Sequence, residues 1–159
     1  MYEKSIELLN KAVADELSAV HQYMYFHFHC DDQGFSLLAG LFKRTAIAEM
    51  MHVEKLADRI LFLKGDVNME ASFPVKPIKE VKDMLEMAAG MEQESIKEYN
   101  LWAREVEDSM SRKLFEELVM DEETHFSNYD LELDNLKRFG DKYLALQSIE
   151  NSKGQMPPM

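Results

Sequence analysis

Residues 35–65 read FSLLAGLFKRTAIAEMMHVEKLADRILFLKG, and the period of this stretch decides the fold. Leu38, Leu41, Phe42, Val53, Leu56, Ile60 and Leu63 recur at three- and four-residue steps, the pattern of a helix with one apolar face. Glu49 and His52 fall in phase with that face, which runs Leu38, Leu41, Thr45, Glu49, His52, Leu56. A three-residue step leaves two helical side chains about 60° apart on adjacent turns, so both point the same way. Gly65 stands where a helix-ending glycine belongs.

The same device recurs downstream. A helical stretch over about Ser111–Phe139 carries Phe115, Leu118, Glu122, His125 and Tyr129 on one face, so Glu122-Glu123-Thr124-His125 repeats Glu49-Met50-Met51-His52. Charge at core positions is costly unless something compensates it. A divalent metal would, and neutral imidazole with carboxylate suits iron.

Two further helices complete the set. From about Glu3 to Cys30, Leu9, Val13, Val20 and Tyr23 are periodic and Glu16 sits on their stripe; Asp31-Asp32-Gln33-Gly34 then reads as a turn. From about Ile78 to Glu107, Met84, Met87, Met91, Glu94, Glu98 and Leu101 share a face, which leaves Glu94 or Glu98 as the inward carboxylate. Internal repetition favours Glu94: Glu16 precedes its Glu-x-x-His by 49 − 16 = 33 residues, Glu94 by 122 − 94 = 28, and Glu98 by only 122 − 98 = 24. Residues 66–77, DVNMEASFPVKP, have no period and form a long crossover, whereas Asp108-Ser109 makes a short turn with a helix-start residue to hand. DKYLALQSIE (141–150) forms a short fifth helix. The expected fold is all-α: an antiparallel four-helix bundle with a long crossover between helices 2 and 3 and a short C-terminal fifth helix. Residues 1–150 make one domain and 151–159 a flexible tail.

Composition narrows the function. The 159 residues carry a formal charge of −12, which disfavours nucleic-acid phosphate as a partner and attracts cations. One cysteine, Cys30, allows no intrachain disulfide and suits a reducing cytoplasm. The opening residues show no secretion signal and no run of 18 apolar residues occurs, so no membrane association is expected.

One Glu from each of two helices and a Glu-x-x-His from each of the others is the arrangement for which ferritin-like di-iron bundles are the stated example. From about Tyr2 to Glu150 the chain resembles a bacterioferritin, through ADELSAVHQY (14–23), AEMMHVEKLADRILFLKG (48–65), EQESIKEYN (92–100), DEETHFSNYDLELD (121–134) and KYLALQSIE (142–150). The resemblance implies a hollow homo-oligomeric shell of about 24 subunits, built from twofold dimers, that oxidises Fe(II) with O2 and stores the product. It implies two irons per subunit, with Glu16 and His52 on one, Glu94 and His125 on the other, and Glu49 and Glu122 bridging. It also implies a role for Tyr23 beside the centre, haem b shared by two subunits through Met50, and a ferredoxin-type reductant for iron release. Two departures stand out. The family's best-studied members carry a histidine and an aspartate for an additional inner-surface iron, where this chain has Arg44 and Ala48. The turn before the fourth helix is also shorter.

The residues independently place Met50 on a face that needs a partner, as a haem ligand or as interface packing. With the midpoint of Glu49 and His52 as the core direction, Met50 and Met51 lie about 130° to either side and Ile47 almost opposite, an outward apolar trio that asks for a partner helix. Two other readings use the same bundle: a haem-free bacterial ferritin, and a haem- or metal-binding bundle that transfers electrons without oxidising iron.

Overall fold

In a computed structural model, which describes residues 1–154, five helices follow one another and no strand occurs among the described residues. They are α1 (Glu3–Asp32), α2 (Ser36–Phe62), α3 (Val81–Glu105), α4 (Ser109–Phe139) and α5 (Asp141–Gly154). α1 packs along α2 and α3 along α4, with α1 against α3 and α2 against α4 closing the four-helix bundle. The 30 residues of α1 span about 45 Å. No helix among the described residues is long and apolar enough to cross a membrane. Residues 151–154, expected in the tail, continue α5; residues 155–159 lie outside the described residues.

The helix ends show why the chain turns where it does. Gly34 takes a left-handed φ of 85°, its N–H bonds Asp31 and the Phe35 N–H bonds Cys30, the paired closing bonds of a Schellman turn. α2 closes with the same pair of bonds, Lys64 to Leu61 and Gly65 to Ile60. Here Lys64, with φ 68°, holds the left-handed position that the sequence suggests for Gly65. Gly65 is needed for another reason: a Cβ there would sit 2.7 Å from Ile6 Cγ2.

The crossover is longer than the sequence suggests, running from the end of α2 to Val81. Polar residues of α1 hold it. The Gln22 side-chain amide accepts from Lys76 N–H at 2.8 Å and donates to Lys76 C=O at 3.0 Å. Ser18 Oγ accepts from the N–H groups of Ser72 and Phe73, and Asn10 bonds the backbone at Asp66 and Asn68. Ser18 and Gln22 are therefore buried without leaving their polar atoms unpaired.

At the other inter-helix junction Asp108 caps α4, accepting from Ser111 N–H at 2.9 Å and from Arg59 Nη2 at 2.6 Å, which ties the end of α2 to the start of α4. Burial opposes its charge, but hydrogen bonds from Ser5, from the Ser111 N–H and hydroxyl and from Arg59 bring the carboxyl down to about 2. Asp108→Ala removes the cap and the ion pair of Arg59, which keeps only its bond to Ser111 Oγ, at a cost of about 2 kcal/mol. A drop of about 4–8 °C in the melting temperature at pH 7 is expected. Because the folded pKa lies below the ordinary carboxylate value, this contribution is complete above that value and fades as pH falls towards 2. Melting curves of parent and variant should therefore converge in acid.

Two apolar clusters fill the bundle. One gathers Tyr23, Phe26, Leu38, Phe42, Met84, Leu85 and Tyr129; the other gathers Leu8, Leu9, Val13, Leu56, Ile60, Tyr99, Trp102, Phe115 and Leu118. Between them lies a layer of buried charge.

Candidate metal centre

Each of the four bundle helices sends a carboxylate into that layer: Glu16 from α1, Glu49 from α2, Glu92 from α3 and Glu122 from α4, all at most 1% exposed. His52 and His125 join them one turn beyond Glu49 and Glu122, with ring centroids 5.9 Å apart. The side chains form two overlapping tetrads, Glu16–Glu49–His52–Glu122 and Glu49–Glu92–Glu122–His125, and in each the potential ligand atoms lie within 4.8 Å of one another. Glu49 and Glu122 belong to both. His52 Nδ1 faces Glu122, Glu16 and Glu49 at 3.1, 3.3 and 3.4 Å. His125 Nδ1 faces Glu49, Glu122 and Glu92 at 2.9, 3.6 and 3.7 Å.

The electrostatics of the protein alone are poor. Burial pushes the carboxyls of Glu16, Glu49 and Glu92 above their usual range, and neighbouring carboxylates add to this. Glu122 is held below its usual range: burial opposes its charge, but close polar contacts with Glu92, His125, His52 and Glu49 outweigh it. Burial opposes charge on His52 too, yet its contacts with Glu122 and Glu16 raise it to about 11; His125 rises to about 9 through Glu122 and Glu92. Even so, Glu16 Oε2, Glu49 Oε1, Glu92 Oε2, both Glu122 oxygens and His125 Nδ1 are buried without an aligned hydrogen-bond partner. An orphaned buried acceptor costs about 1–3 kcal/mol. Two divalent cations, one per tetrad, would meet these atoms and neutralise four carboxylates. The donor set therefore fits a pair of iron ions.

The structure brings together five of the six expected ligand residues, Glu16, Glu49, His52, Glu122 and His125. Glu94 is a correction: it is exposed, and the side chain from α3 is Glu92. The methionine stripe misleads because Met87 and Met91, with Glu94, Glu98 and Phe73 of the crossover, line a cavity of about 530 Å³ that Tyr23 also borders. The face of α3 that enters the bundle is Val81, Met84, Leu85, Ala88, Glu92, Tyr99 and Trp102, so of the methionine stripe only Met84 lies wholly in the core. Small alanines there let the helices approach closely, and Glu92 follows them on the same face.

A signal for Glu92 does exist. Tyr23 follows Glu16 by seven residues and Tyr99 follows Glu92 by seven. Each tyrosine donates across the bundle to the other helix's carboxylate, Tyr23 Oη to Glu92 Oε1 at 2.7 Å and Tyr99 Oη to Glu16 Oε1 at 2.5 Å. Burial pushes both phenols well above their usual range, so both stay protonated donors. The interval 122 − 92 = 30 is also nearer to 33 than 28 is. A third unforeseen residue is Asp121, whose Oδ2 lies 2.9 Å from His52 Nε2.

Met50 stands outside the centre. It is 52% exposed on the outward face of α2, flanked by Ile47 and Met51 at 46% and 45%. His27 and Cys30 serve packing: His27 Nδ1 meets the Ala39 carbonyl, and Cys30 is a buried free thiol against Met84 Sδ, pushed up by burial to about 12.

Comparison with known proteins agrees with this architecture. The family profile for the ferritin-like domain matches residues 6–139. The bacterioferritin of Desulfovibrio desulfuricans is 37% identical over 89% of this chain and 81% of its own, and that of Brucella melitensis 35% identical over 87% and 88%. A crystal structure of the Desulfovibrio desulfuricans protein, described with its diiron site in different catalytic states, superposes with a TM-score of 0.88 at 36% identity, covering 91% of this chain and 86% of that one. Sequence, bundle topology and buried carboxylate–histidine layer agree, and the chain belongs to the ferritin family, among the bacterioferritins.

Proposed function

We propose that this iron-storage protein is a ferroxidase, which binds two Fe(II) ions as substrate in the two tetrads and oxidises them with O2. The balance is 2 Fe(II) + O2 + 2 H⁺ → 2 Fe(III) + H2O2: each iron gives one electron and the peroxide leaves protonated. The observation that carries the reading is the pair of tetrads sharing Glu49 and Glu122. Shared carboxylates hold two metals close enough for one O2 to take an electron from each. Four fixed carboxylates favour the extra positive charge of the ferric product.

The surrounding residues have separate tasks. Tyr23, hydrogen-bonded to Glu92, keeps that carboxylate aimed at the Glu92/His125 tetrad, and Tyr99 does the same for Glu16. The apolar clusters above and below exclude water from the layer, which strengthens every charge interaction within it. The free thiol of Cys30 accords with a cytoplasmic setting. Anaerobic Fe(II) titration followed by mixing with O2 in a stopped-flow spectrometer tests the reading. About two Fe(II) per chain, oxidised in one fast phase, are expected; binding of one or none overturns it.

Storage of the product needs a closed shell. Leu146 and Ile149 of α5 are more than half exposed in the single chain, and a 14-residue helix is marginal in water without further burial. We place these residues at contacts between subunits in a shell of about 24 chains, with a mass of about 440 kDa from 18.5 kDa each. Light scattering should return that mass, and a dimer or a 12-chain particle would refute the shell.

The outward trio Ile47, Met50 and Met51 fits a twofold contact that brings two Met50 side chains together as axial ligands of one haem. Protein expressed with added haem precursor should show a Soret band with bis-methionine features that Met50→Leu loses while the dimer contact persists. Identical spectra would leave Met50 as packing alone. Electron delivery through this haem from a ferredoxin-type partner is the route we assign to iron release.

A further inference from the structure

The bundle repeats itself, and the repeat is imperfect at one informative place. Moving α2 onto α4 by 73 residues carries Glu49 to Glu122 and His52 to His125 (122 − 49 = 125 − 52 = 73). The same step carries Ala48 to Asp121. Asp121 lies at the edge of the centre with its side chain half exposed, and its Oδ2 accepts a hydrogen bond from His52 Nε2 at 2.9 Å. At the matching place beside His125, α2 offers only the methyl group of Ala48. Among the described residues, the carboxylates within 4 Å of His125 are Glu49, Glu92 and Glu122, all within the centre itself.

This difference bears on how each ring binds a metal. A histidine that gives its outer N–H to a carboxylate has its tautomer and ring orientation fixed, with the lone pair at the other nitrogen made more basic. His52 is oriented for that state: with Nε2 on Asp121, Nδ1 faces Glu16, Glu49 and Glu122 and would offer its lone pair once a metal displaces the proton there. His125 also turns Nδ1 inward, but no carboxylate selects that tautomer or holds the ring. Loss of an outer-shell partner of this kind typically lowers metal affinity about 10–100-fold.

We propose that Asp121 makes the two halves of the centre unequal, so that the Glu16/His52 half fills first and binds tighter, while the Glu92/His125 half binds second and exchanges its metal. The inference rests on the two-metal reading above. Asp121 is a positioning residue acting through His52, and Ala48 sets the weaker half by providing no counterpart.

The test uses Co(II) under nitrogen, which binds such sites without consuming O2. Calorimetric titration of the parent should give two steps with a total of two metals per chain. Repulsion between two dications separates the steps even in a symmetric centre, so the variants decide. Asp121→Ala should weaken the first step about 10–100-fold and change the second least. Ala48→Asp should strengthen the second step. The double variant Ala48→Asp/Asp121→Ala moves the carboxylate to the other half and should restore a tight first step. Crystals given one Co(II) per chain should show the anomalous peak at Glu16/His52 in the parent and at Glu92/His125 in the double variant. An unchanged first step in Asp121→Ala, or equal anomalous peaks in both halves of the parent, overturns the proposal while leaving the two-metal centre standing. Binding of fewer than two Co(II) per parent chain overturns the two-metal reading itself, and the inference with it.

Discussion

Glu92→Ala is expected to lose fast iron oxidation, whereas Glu94→Ala keeps the parent rate, although the two glutamates are only two residues apart. Glu92 is buried in the centre and bonded to Tyr23; Glu94 is exposed and lines the cavity between α3 and the crossover. Glu49→Ala and Glu122→Ala should be at least as severe as Glu92→Ala, since each removes a carboxylate common to both tetrads. Losing an outer-shell partner costs about 10–100-fold, and an inner ligand costs no less, so a fall of at least about 10-fold in the initial oxidation rate is expected. Far-UV circular dichroism should stay near the parent's, because the helices rest on the apolar clusters on either side of the layer. The measurement is stopped-flow absorbance after mixing with air-saturated buffer. Parent-like rates in Glu49→Ala and Glu122→Ala would refute the assignment of the centre, and a slow Glu94→Ala beside a fast Glu92→Ala would refute the choice of carboxylate on α3.

Removal of metal from both tetrads is expected to lower the melting temperature by about 16–32 °C. The metal-free layer packs four carboxylates together and leaves several of their oxygens without hydrogen-bond partners. Filling the two tetrads relieves both costs, and any ligand that binds only the folded chain stabilises it by linkage. At a free metal concentration about 1,000 times Kd the gain is about 4 kcal/mol per site. For a domain of this length each kcal/mol moves the melting temperature by about 2–4 °C. Calorimetry with Zn(II), which is not oxidised, against protein in excess chelator measures the shift without interference from O2. Glu49→Ala/Glu122→Ala should lose most of it. A parent whose melting temperature ignores Zn(II) would show that the carboxylate layer is not a metal site.

Local chemistry alone determined much of this protein. The three- and four-residue period marks four long helices, Gly34 and Asp108 mark a turn and a cap, and two Glu-x-x-His pairs in phase with apolar stripes mark the centre, because each signal is complete within a turn or two of helix. Only the tertiary structure decided which face of α3 looks inward. Helical periodicity gives a stripe but not what covers it: the methionine flank of α3 meets the crossover cavity, while Ala88 and Ala89 admit the close approach that turns Glu92 towards Tyr23. Asp121 was hidden for the same reason. It reads as an ordinary surface acid beside Glu122, and its bond to His52 joins residues 69 positions apart, a contact that exists only once α2 and α4 lie side by side.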